Sequence, residues 1–192
     1  MKTKQEIHRL LRMKSDQKEM YNHFEDLELR RNLITLIEYI RDNKVVGTQK
    51  VGNMPLKAVK AIASNFVHPL ELEAKIGNYT YRVRSESDLW GLHIIRIFAE
   101  VGGLISVGPS RRWRLLDKGV EFLNFKPLLQ VFYIFSVWWY ETNWLIAYPY
   151  AGMGDALPNN FKNITFNHLY TLPKGKKIEF DNFADKLIKK QD

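Results

Sequence analysis

The 192-residue chain carries 29 Lys and Arg against 21 Asp and Glu, a net charge of +8. Hydrophobic residues make up 45% and charged residues 26%, enough apolar side chain to bury a full domain core, which excludes a disordered tail. There is no cysteine, so a disulfide framework, thiolate zinc sites and a cysteine nucleophile are excluded together.

The N-terminal charges of Lys2 and Lys4 have no apolar stretch behind them, so no signal peptide and a cytoplasmic location are expected. Thr3 and Glu6 have capping-box spacing, and Ile7, Leu10 and Leu11 form a short helical stripe behind them. Asp16 and Glu19 repeat that start. Residues 1–28 therefore read as an N-terminal helical extension. Leu29, Leu33, Ile34, Ile37 and Ile40 recur at spacings of three and four, predicting an amphipathic helix that Asn43 or Gly47 stops.

Val45 and Val46 form a short extended piece, and Pro55 opens the next helix, where a missing N–H costs nothing. Leu56, Val59, Ile62, Ala63 and Phe66 make its apolar face, ended by Val67, His68 and Pro69. Tyr79, Tyr81 and Val83 alternate after Gly77-Asn78, a tight-turn pair, which predicts a small hairpin. Ser85 to Asp88 is an N-cap region for a helix running from Leu89 to Val101, apolar on nearly every side and closed by Gly102-Gly103. Leu104–Val107 and Arg112–Leu116 read as two strands joined by Gly108 to Arg111, and Asp117 can cap a short helix through Leu123.

Lys126-Pro127 marks a boundary before Leu128 to Tyr140, an almost wholly apolar run. A membrane-spanning helix needs about 20 apolar residues, so this shorter run predicts a buried core helix and no membrane span. Tyr148 to Pro158 is a turn-rich loop, a candidate lid on its length alone, and Asp181 can cap a last helix bearing Phe183, Ala184, Leu187 and Ile188. No internal repeat of the solenoid kind is present.

From residue 29 to 123 the order is helix, short strand, helix, helix, strand, turn, strand, helix. With Glu100-Val-Gly-Gly-Leu104 before the hairpin and Leu116-Asp-Lys-Gly119 with Phe122-Leu123 after it, this resembles a winged helix-turn-helix module. Many winged-helix proteins carry Leu-Thr-x-x-Gly at the second position, and here Asp117 stands for Thr. Thr48 to Pro55 is also similar to the helix lead-in of an uncharacterised bacterial group with such a core. The resemblance covers about half the chain and implies a third helix at 86–102 and a wing at 105–116. The expected fold is mainly α with a small β-hairpin (α+β): a winged-helix-like core over 29–125, with additional N- and C-terminal helices. Residues 126–192 are then an aromatic-rich segment packed on that core.

The resemblance implies nucleic-acid binding, and the wing residues Arg111, Arg112 and Arg114 are suited to phosphate contact, with Lys57 and Lys60 behind them. Trp113 alternates with the arginines and should face inward. Glu86 and Asp88 stand at the start of the third helix, where their charges would repel phosphates. The alternative is a protein-interaction or scaffold module built on a degenerate winged helix, joining a partner or a second copy through Trp138, Trp139, Trp144 and Tyr148. An enzyme without a recognisable motif is the third reading. Ser15-Asp-Gln-Lys18 and Gly152-Met-Gly154 match catalytic and dinucleotide patterns only in fragments, and no phosphate loop or nucleophile elbow exists. The histidines at 8, 23, 68, 93 and 168 show no ligand pair, so neither a metal nor a cofactor is expected, and His93 reads as a hydrogen-bonded core residue.

Overall fold

The computed structural model describes residues 24–49, 52–143, 161–172 and 179. The capping boxes at Thr3 and Asp16, the loop from Tyr148 to Pro158 and the last helix after Asp181 lie outside the described residues. The chain divides into two compact units, Met1–Pro149 and Tyr150–Asp192, so the aromatic helix belongs with the first.

In the first unit, α1 (Glu28–Asp42) buries Leu33, Leu36, Ile37 and Ile40, the stripe its periodicity dictates. Asn43 ends it and donates its side-chain amide to the Tyr39 carbonyl at 2.8 Å, satisfying a terminal acceptor. The chain then extends through Val45, which is buried, and Val46, which bridges Arg112 in antiparallel fashion. Next comes α2 (Leu56–Ser64), with Pro55 as its N-cap and Val59, Ile62 and Ala63 buried.

A hairpin of β1 (Glu73–Ile76) and β2 (Tyr79–Arg82) turns at Gly77-Asn78, with Gly77 at φ +61°. This left-handed backbone is what a two-residue hairpin turn demands of its first residue. Ser85 and Asp88 form the capping box ahead of α3 (Trp90–Val101), the intervening turn being 3₁₀. Gly103 at φ +67° reverses the chain after α3, and β3 (Ile105–Val107) pairs antiparallel with β4 (Trp113–Leu115). The fold is thus mainly helical with two small antiparallel hairpins.

In α4 (Asp117–Leu123), Leu116 holds the N-cap position without a side-chain bond, and Asp117 is the first helical residue rather than the cap. Its carboxylate still favours the helix N-terminus through the dipole. Pro127 opens α5 (Pro127–Ser136), which continues into a π-turn over Val137–Glu141. The wider turn shifts the helical face, and Val137 and Trp139 both become buried. Only one side of the aromatic helix is buried, however: Leu129, Phe132, Phe135 and Tyr140 are exposed, because α5 lies on the surface of the core rather than within it. No helix among the described residues is long and apolar enough to cross a membrane.

α1 is the centre of the first unit and packs against α2, α3, β4 and α5. Buried Gln130 fastens α5, donating to the Phe122 carbonyl at 2.8 Å and accepting from Arg30 Nε at 2.6 Å. The Tyr133 hydroxyl donates to the Gly102 carbonyl at the end of α3. In the second unit, α6 (Phe161–Tyr170) buries Thr165 and His168 and exposes Phe166, Leu169 and Tyr170.

Gly119 has a steric reason to be glycine although it sits within a helix. A Cβ there would stand 2.3 Å from the Leu104 carbonyl oxygen and 2.4 Å from Leu115 Cδ1. Gly119→Ala gains about 1 kcal/mol of helix propensity and loses about 3 kcal/mol by overpacking against backbone. Urea unfolding should therefore show a net loss of about 2 kcal/mol. A more stable variant would mean that α4 can move away from β3 without cost.

Candidate nucleic-acid interface

The β3–β4 hairpin presents its cations by strand alternation. Trp113 points inward and is 5% exposed, while Arg112 and Arg114 on either side are exposed. The hairpin is fixed from beneath. The Trp113 backbone N–H donates to the Val45 carbonyl at 3.0 Å, and its indole Nε1–H donates to the Gly52 carbonyl at 3.1 Å. Thr48 and Asn53 close this loop through a 2.8 Å backbone bond, and it leads through Met54 to Pro55 and α2. Lys57 and Lys60, one turn apart on α2, are both exposed.

Arg111 occupies the last turn position with φ +58°, a left-handed conformation that costs a residue with a Cβ about 1–2 kcal/mol. Its N–H donates to the Gly108 carbonyl at 2.7 Å and its own carbonyl accepts from Gly47 N–H at 2.7 Å. Glycine or asparagine would fill the site more cheaply, and arginine stands there instead. The Arg114 guanidinium folds back over the turn: a Cβ on Gly108 would meet its terminal nitrogen at 2.4 Å.

The acidic start of α3 is different from what the sequence alone implies. Glu86 is only 2% exposed and pairs with Arg96, whose other arm holds Glu100 one turn along the helix. Arg96 also lies 5.9 Å above the Trp113 ring, and His93 Nδ1 stands 3.6 Å from Glu86 Oε1. Glu86 therefore presents no charge to a partner at this surface. Asp88 is exposed, but its Oδ2 accepts the Arg84 and Ser85 backbone N–H groups, at 2.8 and 3.1 Å.

Burial pushes the Glu86 and Glu100 carboxyls above their ordinary range, against the pull of Arg96. Burial, and after it the charge of Arg96, pushes the His93 imidazole below its ordinary value. The spacing of Arg96 and Glu100 at i, i+4 was a readable signal for half of this cluster. Nothing local marks Glu86 as its other half.

Of the aromatic candidates, Trp139 is buried and Trp138 half-buried against the core, while Trp144 and Tyr148 lie outside the described residues. Phe135 stacks on Trp139 at 5.7 Å and is itself exposed. The structure thus brings the wing arginines together on one hairpin and turns these two tryptophans largely away from solvent. Among the described residues no group of acidic or histidine side chains is placed to hold a metal ion. No known protein family, curated protein or solved structure matches the chain.

Arg96→Ala should leave the buried Glu86 and the half-buried Glu100 carboxylates without their counter-charge and cost about 3 kcal/mol of unfolding free energy at pH 8. At pH 5 the deficit should shrink. Without the guanidinium, the folded state binds protons that the unfolded carboxylates release, so stability falls as pH rises through that window. Equal losses in urea titrations at the two pH values would show that the carboxylates carry no charge for Arg96 to balance.

Proposed function

We propose that the first unit contains a winged-helix module that binds nucleic acid through the phosphate backbone. Arg111, Arg112 and Arg114 make the contacts, and Lys57 and Lys60 add to the positive field. The observation that carries this reading is the cationic hairpin itself. Trp113 anchors the strand from below, both neighbouring arginines face outward, and an arginine stands at a left-handed backbone position. Strain of this kind collects at functional sites, because selection for the side chain there outweighs the cheaper backbone.

The element order supports the same reading. The α1, α2 and α3 helices precede a two-stranded wing, and the Val46–Arg112 bridge gives the wing a minimal third strand. The β1–β2 hairpin is an insertion between the second and third helices. The outward positions of α3 include Trp90 and Val101, so this helix brings no cationic face to a groove. Binding is accordingly assigned to phosphates and not to base edges, with low sequence preference.

Fluorescence anisotropy with mixed-sequence duplex across a salt series tests this. Wild-type affinity should fall steeply with salt, and Arg112→Glu/Arg114→Glu should abolish most binding and reduce the logarithmic salt slope by about 2. Arg111→Gly should weaken binding while thermal stability is held or raised, which separates loss of contact from loss of fold. No binding by the wild type at low salt, where even non-specific binders respond, would end the nucleic-acid reading.

The exposed side of α5 favours a second reading, an interaction module. Leu129 is 53% exposed, Phe132 61% and Phe135 43%, each one turn from the next. If this strip joins two copies of the chain, sedimentation should show mass rising with concentration, and Phe132→Asp should hold the protein monomeric. A monomer at every concentration would remove self-association through α5.

A further inference from the structure

A second cationic feature lies on the first unit where α1 passes the end of α2. Asn32, buried on α1, accepts the Val67 backbone N–H at 2.8 Å. Its own amide donates to Glu28 Oε1 at 3.3 Å. This clamp holds the exit of α2 against α1 and leaves an open pocket of about 440 Å³ beside it. Arg30, Arg31, Thr35 and Asn65 line the pocket around Ile34, Phe66 and Val67. The volume lies within the range of small-molecule sites, about 300–1,000 Å³, and the lining is more polar than apolar, which suits a ligand with a charged end.

The charge of the lining has one sign. None of the lining side chains is acidic, and two arginines adjacent in sequence on α1 both border the pocket. Arg30 is oriented by two bonds, from Nε to Gln130 Oε1 at 2.6 Å and from a terminal nitrogen to the Glu25 carbonyl at 2.7 Å. Arg31 is exposed, with its backbone bonded to the Leu27 carbonyl and the Thr35 hydroxyl, and its guanidinium makes no hydrogen bond or ion pair with another described residue. Burial lowers the Arg30 pKa; Glu25 acts against this, and the like charge of Arg31 adds to it. An anion between the two guanidiniums relieves that repulsion and takes up the donors of Arg31.

We propose that this pocket binds a small organic anion. Its carboxylate or phosphate head sits between Arg30 and Arg31, and its apolar body rests on Ile34, Phe66 and Val67. The site is separate from the β3–β4 hairpin in its residues and in its chemistry, since it selects a compact ligand with one charged end.

Isothermal titration of the full chain at physiological salt with phenyl phosphate and with benzoate tests the proposal. At least one should bind saturably, and the tighter of the two identifies the head group. Arg31→Glu, an exposed change whose fold circular dichroism can verify, should weaken that binding at least about tenfold by reversing the contact charge. Arg112→Glu/Arg114→Glu should leave it unchanged, so failure of the nucleic-acid reading and failure of this one are distinguishable. The Val67 amide resonance should shift during the titration, placing the ligand at the clamp. The proposal is overturned if neither anion saturates by about 10 mM, the weak end of small-ligand binding, or if Arg31→Glu binds as the wild type does. Inorganic phosphate binding as tightly as phenyl phosphate would overturn the assignment of an organic ligand.

Discussion

Trp113 holds together parts of the chain that sequence keeps far apart. Its backbone bonds Val45 after α1, its indole N–H bonds Gly52 ahead of α2, and its ring lies under Arg96 of α3. One buried residue, through its backbone and its ring, thereby ties three helices to the β3–β4 hairpin. The ring contributes large apolar burial, its polar edge is satisfied, and the cation above its face adds about 0.5–2 kcal/mol. The strand carrying it must alternate, so the inward tryptophan obliges Arg112 and Arg114 to face solvent. The structural anchor and the cationic display are two consequences of one strand.

Charge is sorted by the same packing. Arg96 pairs with Glu86, which is buried ahead of α3, and with Glu100, which is half-buried near the end of α3, while Asp88 stays exposed. The chain's excess of positive charge then reaches solvent on the wing, on α2 and beside the clamp between α1 and α2. A buried ionic cluster gives little net stability against apolar packing of the same volume, because desolvation consumes most of the attraction. Its consequence here is spatial: it fixes which charges reach the surface and which are held inside.

Much of the fold was legible along the chain. The stripe from Leu33 to Ile40, the Gly77-Asn78 turn, the Ser85–Asp88 capping box and the glycine pair after α3 each act over a few residues. Their physics is complete within the segment that carries them. The inward turn of Trp113 and the outward turn of its neighbouring arginines followed from strand alternation alone. The aromatic helix was less legible. Its hydrophobicity predicted burial, but α5 settled on the surface of a core already filled by α1, α2 and α3, so one side stayed exposed.

Composition, periodicity, caps and turns by themselves determined a mainly helical chain with two small hairpins and a strand of alternating arginines. Tertiary structure alone decided that Glu86 turns in to Arg96, that Arg111 takes a left-handed backbone, that a π-turn rotates Trp139 inward, and that Arg30 and Arg31 face a pocket. The division has a physical cause. Local signals arise from hydrogen bonds and rotamers spanning a turn or a pleat, whereas the fate of a charge depends on which distant groups share its desolvation, and those meet only when the core closes.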